Sequence, residues 1–175
     1  MQNMLDLLKS RRSIRKYKDK EIEPELVEEI LKAGLLAPSS RGLRPWEFVT
    51  VRDKEKLKIL SACRGGSSYF LANAPLAVVV AADPQKCDVW VEDCSIAAII
   101  MQLTAHSLGL GSCWMQVRER FTSNNEKVED IIKRTLEIPD RYHVECILAF
   151  GYPDEDKRGY EDKDLLYGKI HNENF

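Results

Sequence analysis

The stretch EDCSIAAIIMQLTAHSLGLGSCW, residues 92–114, decides the architecture. It holds no Asp, Glu, Lys or Arg after Asp93, and the surrounding pattern is helical from Asp88 to Leu108. A helix that is apolar all round belongs inside a protein rather than on its surface. This segment is therefore expected to be the central, buried helix. Glu92 and Asp93 stand in its first turn, where the helix dipole favours carboxylates, so they need no acid–base role. Gly109 and Gly111 read as the end of the helix and the entry to the next element, and SCWMQV (112–117) reads as a strand.

The rest of the chain arranges itself around that helix. Met4, Leu5, Leu7 and Leu8 suggest a first helix ending near Arg11. Pro24 opens a second, in which Leu26, Val27, Ile30, Leu31 and Leu35 recur at helical spacing until Pro38 stops them. WEFVTV (46–51) alternates like a strand, and Asp53 can cap a short helix after it. RGGSS (64–68) marks a loop, and PLAVVVAA (75–82) is the continuous apolar run of a strand buried on both faces. Ser123 is expected to open a helix through Leu136, and YHVECILAF (142–150) is a fourth strand. Beyond Gly151-Tyr152-Pro153 the chain turns acidic and loses periodicity, as in a tail that is unordered or spread across another subunit. Helices precede the first strand and then alternate with four strands, which implies a layered sheet covered by helices. No repeat or linker divides residues 1–175, so a single domain is expected.

Composition narrows the chemistry. With 44% hydrophobic and 31% charged residues, the 175-residue chain reads as a globular protein. A formal charge of −2 gives no reason to expect nucleic acid. The longest apolar run, around 94–101, is too short to cross a membrane. Five cysteines without a Cys-x-x-Cys pair, and no secretory segment before them, point to reduced thiols in the cytoplasm. His106, His143 and His171 show no ligand spacing, so no metal is expected.

Three stretches could bind something. RRSIRKY (11–17) offers guanidinium forks and a hydroxyl suited to phosphate, though cations after a helix also serve its dipole. APSSRGLRPWEF (37–48) offers Ser39, Ser40 and Gly42 to a polyol or phosphate, or is only a helix stop and strand entry. LGLGSCWMQ (108–116) is not a dinucleotide turn, because it follows a helix and has Trp114 where the third glycine belongs. Cys113 has no base nearby in sequence and reads as core. Gly-x-Ser-x-Gly is absent, and no catalytic side chain is assigned.

In order, RRSIRKY, APSSRGLRPWEF, NAPLAVVVAAD (73–83), the 92–114 segment and FGYP (150–153) resemble the nitroreductase family of FMN-dependent oxidoreductases. The resemblance implies a three-layer α+β fold with a mixed sheet of about four strands, joined by a C-terminal strand exchanged from the partner. Residues 152–175 would be the tail that extends onto that partner. It also implies a homodimer with FMN at the interface. Arg11, Arg12, Ser13 and Arg15 match the segment that grips the phosphate and the pyrimidine edge of the ring. Pro38, Ser39 and Ser40 match a segment reaching FMN from the second subunit, with Gly42 beside them. Trp114, Met115 and Gln116 match the strand passing the central ring. Gly151 begins the last cofactor segment, and Lys157 and Arg158 resemble its closing basic pair.

The implied activity is ping-pong hydride transfer from NADH or NADPH to a flat, electron-poor small-molecule acceptor such as a nitroaromatic or quinone. A flavin-storing or redox-sensing protein without nicotinamide turnover is the alternative. The sequence departs from the family pattern in having Gly42 and Arg44 where asparagine and glutamine are frequent. Gln116-Val117 likewise stands where many members have glutamate-glycine. The segment from Leu60 to Pro75 is short, with Asn73 the nearest asparagine.

Overall fold

The structure is a computed structural model and describes residues 3–175, the side chain of Ser67 excepted. Helix α1 (Met4–Ser10) is capped by Asn3, whose side chain accepts from the Leu5 amide. Helix α2 (Pro24–Leu35) begins on its proline. Strand β1 (Trp46–Val51) leads to α3 (Lys54–Ala62), where Asp53 accepts from the Lys56 amide at 2.8 Å as expected of a cap. Two 3-10 turns, Gly65–Ser67 and Tyr69–Asn73, precede strand β2 (Leu76–Ala82). Helix α4 (Trp90–Ser107), strand β3 (Gly111–Gln116), helix α5 (Val128–Leu136) and strand β4 (His143–Gly151) complete the domain.

The sheet runs β1-β2-β4-β3. On one face α2 and α4 cover Val78, Val80, Leu148 and Phe150. On the other, α3 and α5 cover Val79, Ala81, Ile147 and Ala149. All seven residues of β2 are buried, which is why its sequence is apolar without alternation. Helix α4 buries Cys94, Ala97, Ala98, Met101 and Ala105 against the sheet. The α+β class and the three layers are as expected; α4 packs on the sheet, but its Ile96 and Ile99 are exposed, where a wholly buried helix was expected.

Several details differ. The four strands pair antiparallel throughout, whereas a mixed sheet was expected. Among the described residues, the one parallel pairing is an isolated bridge between Ser13 and Ser112. Helix α4 starts at Trp90, two residues after the expected Asp88. Helix α5 starts at Val128 rather than Ser123. Thr122 Oγ1 there accepts from the amides of Asn124 and Glu126, closing a turn that holds Phe121 opposite Lys127 before the helix can begin. The tail contains no strand within the chain, only 3-10 turns at Asp162–Asp164 and Tyr167–Lys169. Its first part packs on its own domain, with Asp154 donating to the Lys16 carbonyl and Tyr160 to that of Lys9. No helix of the described residues is long and apolar enough to cross a membrane.

Candidate cofactor site

Residues 11–18 run across one end of the sheet between β3 and the tail. The Ile14 amide donates to Ser112 at 2.9 Å, and the Lys18 amide to Tyr152 at 2.9 Å. Ile14 and Tyr17 point inward and are buried, which leaves Arg11, Arg12, Ser13 and Arg15 on the accessible side. Two glycines allow this close approach. A Cβ at Gly111 would lie 2.8 Å from Ile14, and one at Gly151 would lie 2.7 Å from the Tyr17 ring. Gly151, expected to touch a cofactor, thus has a packing duty of its own.

The tail returns Lys157 and Arg158 to this segment. Lys157 Nζ donates to the Ser13 carbonyl at 2.9 Å and pairs with Glu155 at 3.3 Å. Glu155 accepts from the amides of Arg15 and Lys16, so a carboxylate already sits where backbone donors and an ammonium converge. Those donors hold its carboxyl below the usual carboxylate range, even against the opposing effect of burial. Arg12 donates to the Arg158 carbonyl and lies over the Tyr160 ring. The Arg158 guanidinium turns away to Glu161 and Asp164. Ser10, Arg12, Ile14, Gly111, Glu155 and Lys157 are among the residues lining a cleft of about 200 Å³.

Charge converges here in a way that neighbouring groups register. Burial pushes the Cys113 thiol up, while Arg15, Lys157 and Arg11 pull it down. That thiol is core, as expected, and no thiolate nucleophile. Burial and then Arg11 lower the His106 pKa. The Ser10 hydroxyl donates to the Asp6 carbonyl at 2.8 Å, leaving it to accept from His106 Nε2 at 2.8 Å.

Strand β3 is an edge of the sheet. Its Ser112 carbonyl accepts from Ile14, and its Gln116 carbonyl accepts from Arg64 at 3.1 Å. Alternate residues of a strand direct their backbone groups to the same side, so those of Trp114 face outward between these two points. Trp114 and Gln116 are half-buried, and Met115 is buried. Trp114 Nε1 donates to Gln116 Oε1 at 2.9 Å. The N-terminal arginines, Lys157 and the β3 edge are therefore brought together in one chain.

Pro38, Ser39, Ser40 and Gly42 are not brought to that cluster. The Ser40 amide donates to Asp93 Oδ1 at 2.9 Å, at the start of α4, whereas His106 stands beside Ser10 at its end. At 1.5 Å per residue, Asp93 and His106 are about 20 Å apart along the helix. Ser39 Oγ accepts from the Arg44 amide, and Arg41, Gly42 and Arg44 all have positive φ. A Cβ on Gly42 would meet nothing, so its glycine serves backbone conformation rather than crowding. Asp93 (2% exposed), which also accepts from Cys87 at 3.3 Å, is the anchor of this loop. Its signal in the sequence was a carboxylate opening an otherwise apolar helix.

A cleft of about 520 Å³ lies elsewhere, around Tyr17, Lys18, Arg52 and Asn73. Two of the lysines that line it are in ion pairs, Lys20 with Glu23 and Lys58 with Glu55. No group of His, Cys, Asp and Glu among the described residues is arranged to hold a metal.

The chain matches the Nitroreductase family over residues 8–67 and 60–152. An FMN-dependent nitroreductase from Clostridium difficile R20291 superposes with a TM-score of 0.96 at 58% identity, covering 98% of this chain and 100% of that one. A protein of Archaeoglobus fulgidus named "Putative NADH dehydrogenase/NAD(P)H nitroreductase" is 39% identical over 178 residues, 99% of each chain. One of the same name from Methanothermobacter thermautotrophicus is 37% identical over 156 residues, covering 87% of this chain and 78% of its own length.

Proposed function

This chain belongs to the nitroreductase family, and we propose that it is an FMN-dependent oxidoreductase that takes electrons from NADH or NADPH and passes them to a flat, electron-poor acceptor. The observation that carries this reading is the Lys157 ammonium, held at 2.9 Å on the Ser13 carbonyl, where it meets the accessible side of residues 11–15 beside the outer edge of β3. Such a donor set fits FMN: cations for a dianionic phosphate, then a strip of backbone groups for the edge of a planar ring. Glu155, an anion seated on the Arg15 and Lys16 amides, supports the reading that negative charge is welcome at this position.

Bound FMN supplies two-electron exchange between the nicotinamide and the acceptor. The chain supplies position and charge. Arg11 and Lys157 hold the phosphate, and Arg15 stabilises negative charge on the pyrimidine edge of the ring. The outward backbone groups at Trp114 fix the edge of the central ring. No protein nucleophile is required, in keeping with five cysteines that are all buried. Unpaired thiols also accord with a reducing cytoplasm.

The working unit is a homodimer. Ile96 and Ile99 are 37% and 39% exposed on a helix that is apolar all round, and Leu35 and Leu36 add to the uncovered surface. A second copy would bury them. It would also bring its loop 37–44, held away from the arginines in its own chain, to the cofactor bound by the first.

The test is the visible spectrum of the purified protein, with identification of the flavin after denaturation and anaerobic reduction by each nicotinamide. The reading expects a yellow protein, bleached by NADH or NADPH and reoxidised by quinones or nitro compounds. Protein that is colourless and binds no added FMN would refute it. A flavin that neither nicotinamide bleaches would leave only storage or sensing.

A further inference from the structure

Strand β4 carries one acidic residue within its apolar run, Glu145, and it is 4% exposed. It enters as the extra residue of a bulge: Val80 pairs with Cys146 and Ala81 with Val144. Its neighbours Val144 and Cys146 fill the two core faces, so packing alone does not call for a carboxyl here. The Glu145 carbonyl accepts from the amides of Val117 and Arg118, both at 3.1 Å, and so clamps the end of β3. Its Oε1 accepts from Gln116 Nε2 at 3.2 Å. Its Oε2 has no hydrogen-bond partner among the described residues.

The relay continues to Trp114. An indole N–H can only donate, so Gln116 must turn its oxygen to Trp114 and its NH₂ group to Glu145. Two residues of the strand edge are thereby tied to one buried carboxyl, which offers the Gln116 NH₂ group a shorter bond, 3.2 Å, than the carbonyls of Arg118 and Glu145 do, both at 3.4 Å. A buried polar group with an unsatisfied oxygen is costly to keep.

We propose that Glu145 is a positioning residue for the cofactor edge: acting through Gln116, it locks the Trp114 indole and the outward backbone of β3 in the arrangement that receives the flavin ring. The inference rests on reading β3 as the flavin-facing edge. What Glu145 contributes is a hydrogen-bond acceptor at Oε1, so a neutral acceptor of the same shape serves as well. Burial raises the carboxyl pKa and the Gln116 bond lowers it, but Oε1 can accept in either protonation state.

The experiment follows the indole N–H resonance of Trp114 in ¹⁵N-labelled protein without flavin, assigned with Trp114→Phe, and then the FMN dissociation constant of the same samples. Glu145→Leu is expected to displace the resonance and to weaken FMN binding by about tenfold, as for one lost buried hydrogen bond. Glu145→Gln is expected to change neither. An unmoved resonance with unchanged affinity in Glu145→Leu overturns the proposal, and so does a Glu145→Gln variant as impaired as Glu145→Leu. Should Glu145→Leu fail to fold, Glu145→Met, closer in length to the native side chain, removes the acceptor with less repacking, with the same outcomes expected and the same ones contrary. Wild-type protein with no affinity for FMN would instead sink the flavin reading, and the resonance measured without flavin separates that failure from failure of the relay.

Discussion

Lys157 Nζ donates to the carbonyl of Ser13 at 2.9 Å, joining residues 144 positions apart in sequence. The bond closes the tail over the N-terminal arginines and leaves the ammonium facing the same cleft. Lys157→Met is therefore expected to weaken FMN binding by tenfold or more, about 1.5–3 kcal/mol for a charged hydrogen bond and phosphate contact. Arg158→Ala is expected to have a smaller effect, because that guanidinium is engaged by Glu161 and Asp164. Fluorescence titration of flavin into the two variants makes the comparison. Equal losses would show that the tail pair acts as a unit.

Arg11→Ala combined with Arg15→Ala removes two of the three cations that act on Cys113. The double variant is expected to fold, since both side chains lie on the accessible side of their segment, but to purify without flavin. Absorbance of the purified protein reads this directly. Full yellow occupancy would show that the phosphate and ring are held elsewhere.

Gly111→Ala places a methyl group 2.8 Å from Ile14, and Gly151→Ala places one 2.7 Å from Tyr17. Each is expected to lower stability by about 1–3 kcal/mol, the usual cost of overpacking. Because Ile14 and Tyr17 carry the arginine segment, flavin affinity should fall along with the midpoint of denaturant unfolding. A variant that lost stability while binding flavin normally would uncouple the segment's seating from its function.

His106 has its pKa lowered from 6.5 by burial and by Arg11. The unfolded state then binds more protons than the folded one around and below that pH, so stability should rise as pH climbs through this range. His106→Asn is expected to flatten that slope in unfolding curves taken at several pH values. Phosphate bound beside Arg11 would offset the repulsion and move the His106 titration upward. NMR titration with and without inorganic phosphate checks the direction.

Ile96→Glu with Ile99→Glu puts two charges on the outward face of α4. The fold should survive, since both side chains are more than a third exposed. Sedimentation velocity is expected to show monomers, with loss of flavin in the same sample. A variant that stayed dimeric would move the interface away from α4.

Much of this was legible in the sequence, for reasons that can be traced. The charge-free run after Asp93 announced a helix enclosed on all sides; α4 is that helix, but within one chain only one of its faces is buried, and Ile96 and Ile99 face outward. Asp53, Pro24 and the glycine pair at 109 and 111 marked boundaries because caps and turns depend on nearest neighbours alone. Strand direction is set by which ends the connections join, and that left no local trace, so the antiparallel sheet was not foreseen. The start of α5 was misplaced because Ser123, Asn124 and Asn125 all look like caps, and the turn that wins is closed by Thr122. Glu145 was overlooked although a lone acid in YHVECILAF is itself unusual. Its bond to Gln116 exists only once β3 and β4 are side by side.

The length of α4 has a genetic corollary. It holds the Ser40 loop and the Arg11 segment of one polypeptide at opposite ends of a rigid rod, so on the two-copy reading each site draws its parts from different molecules. A copy damaged at Arg11 and Arg15 and another damaged at Ser39 and Ser40 should each be inert alone. Coexpressed, they would assemble a hybrid in which one site inherits both lesions and the other neither, recovering about half the turnover of an intact pair per hybrid.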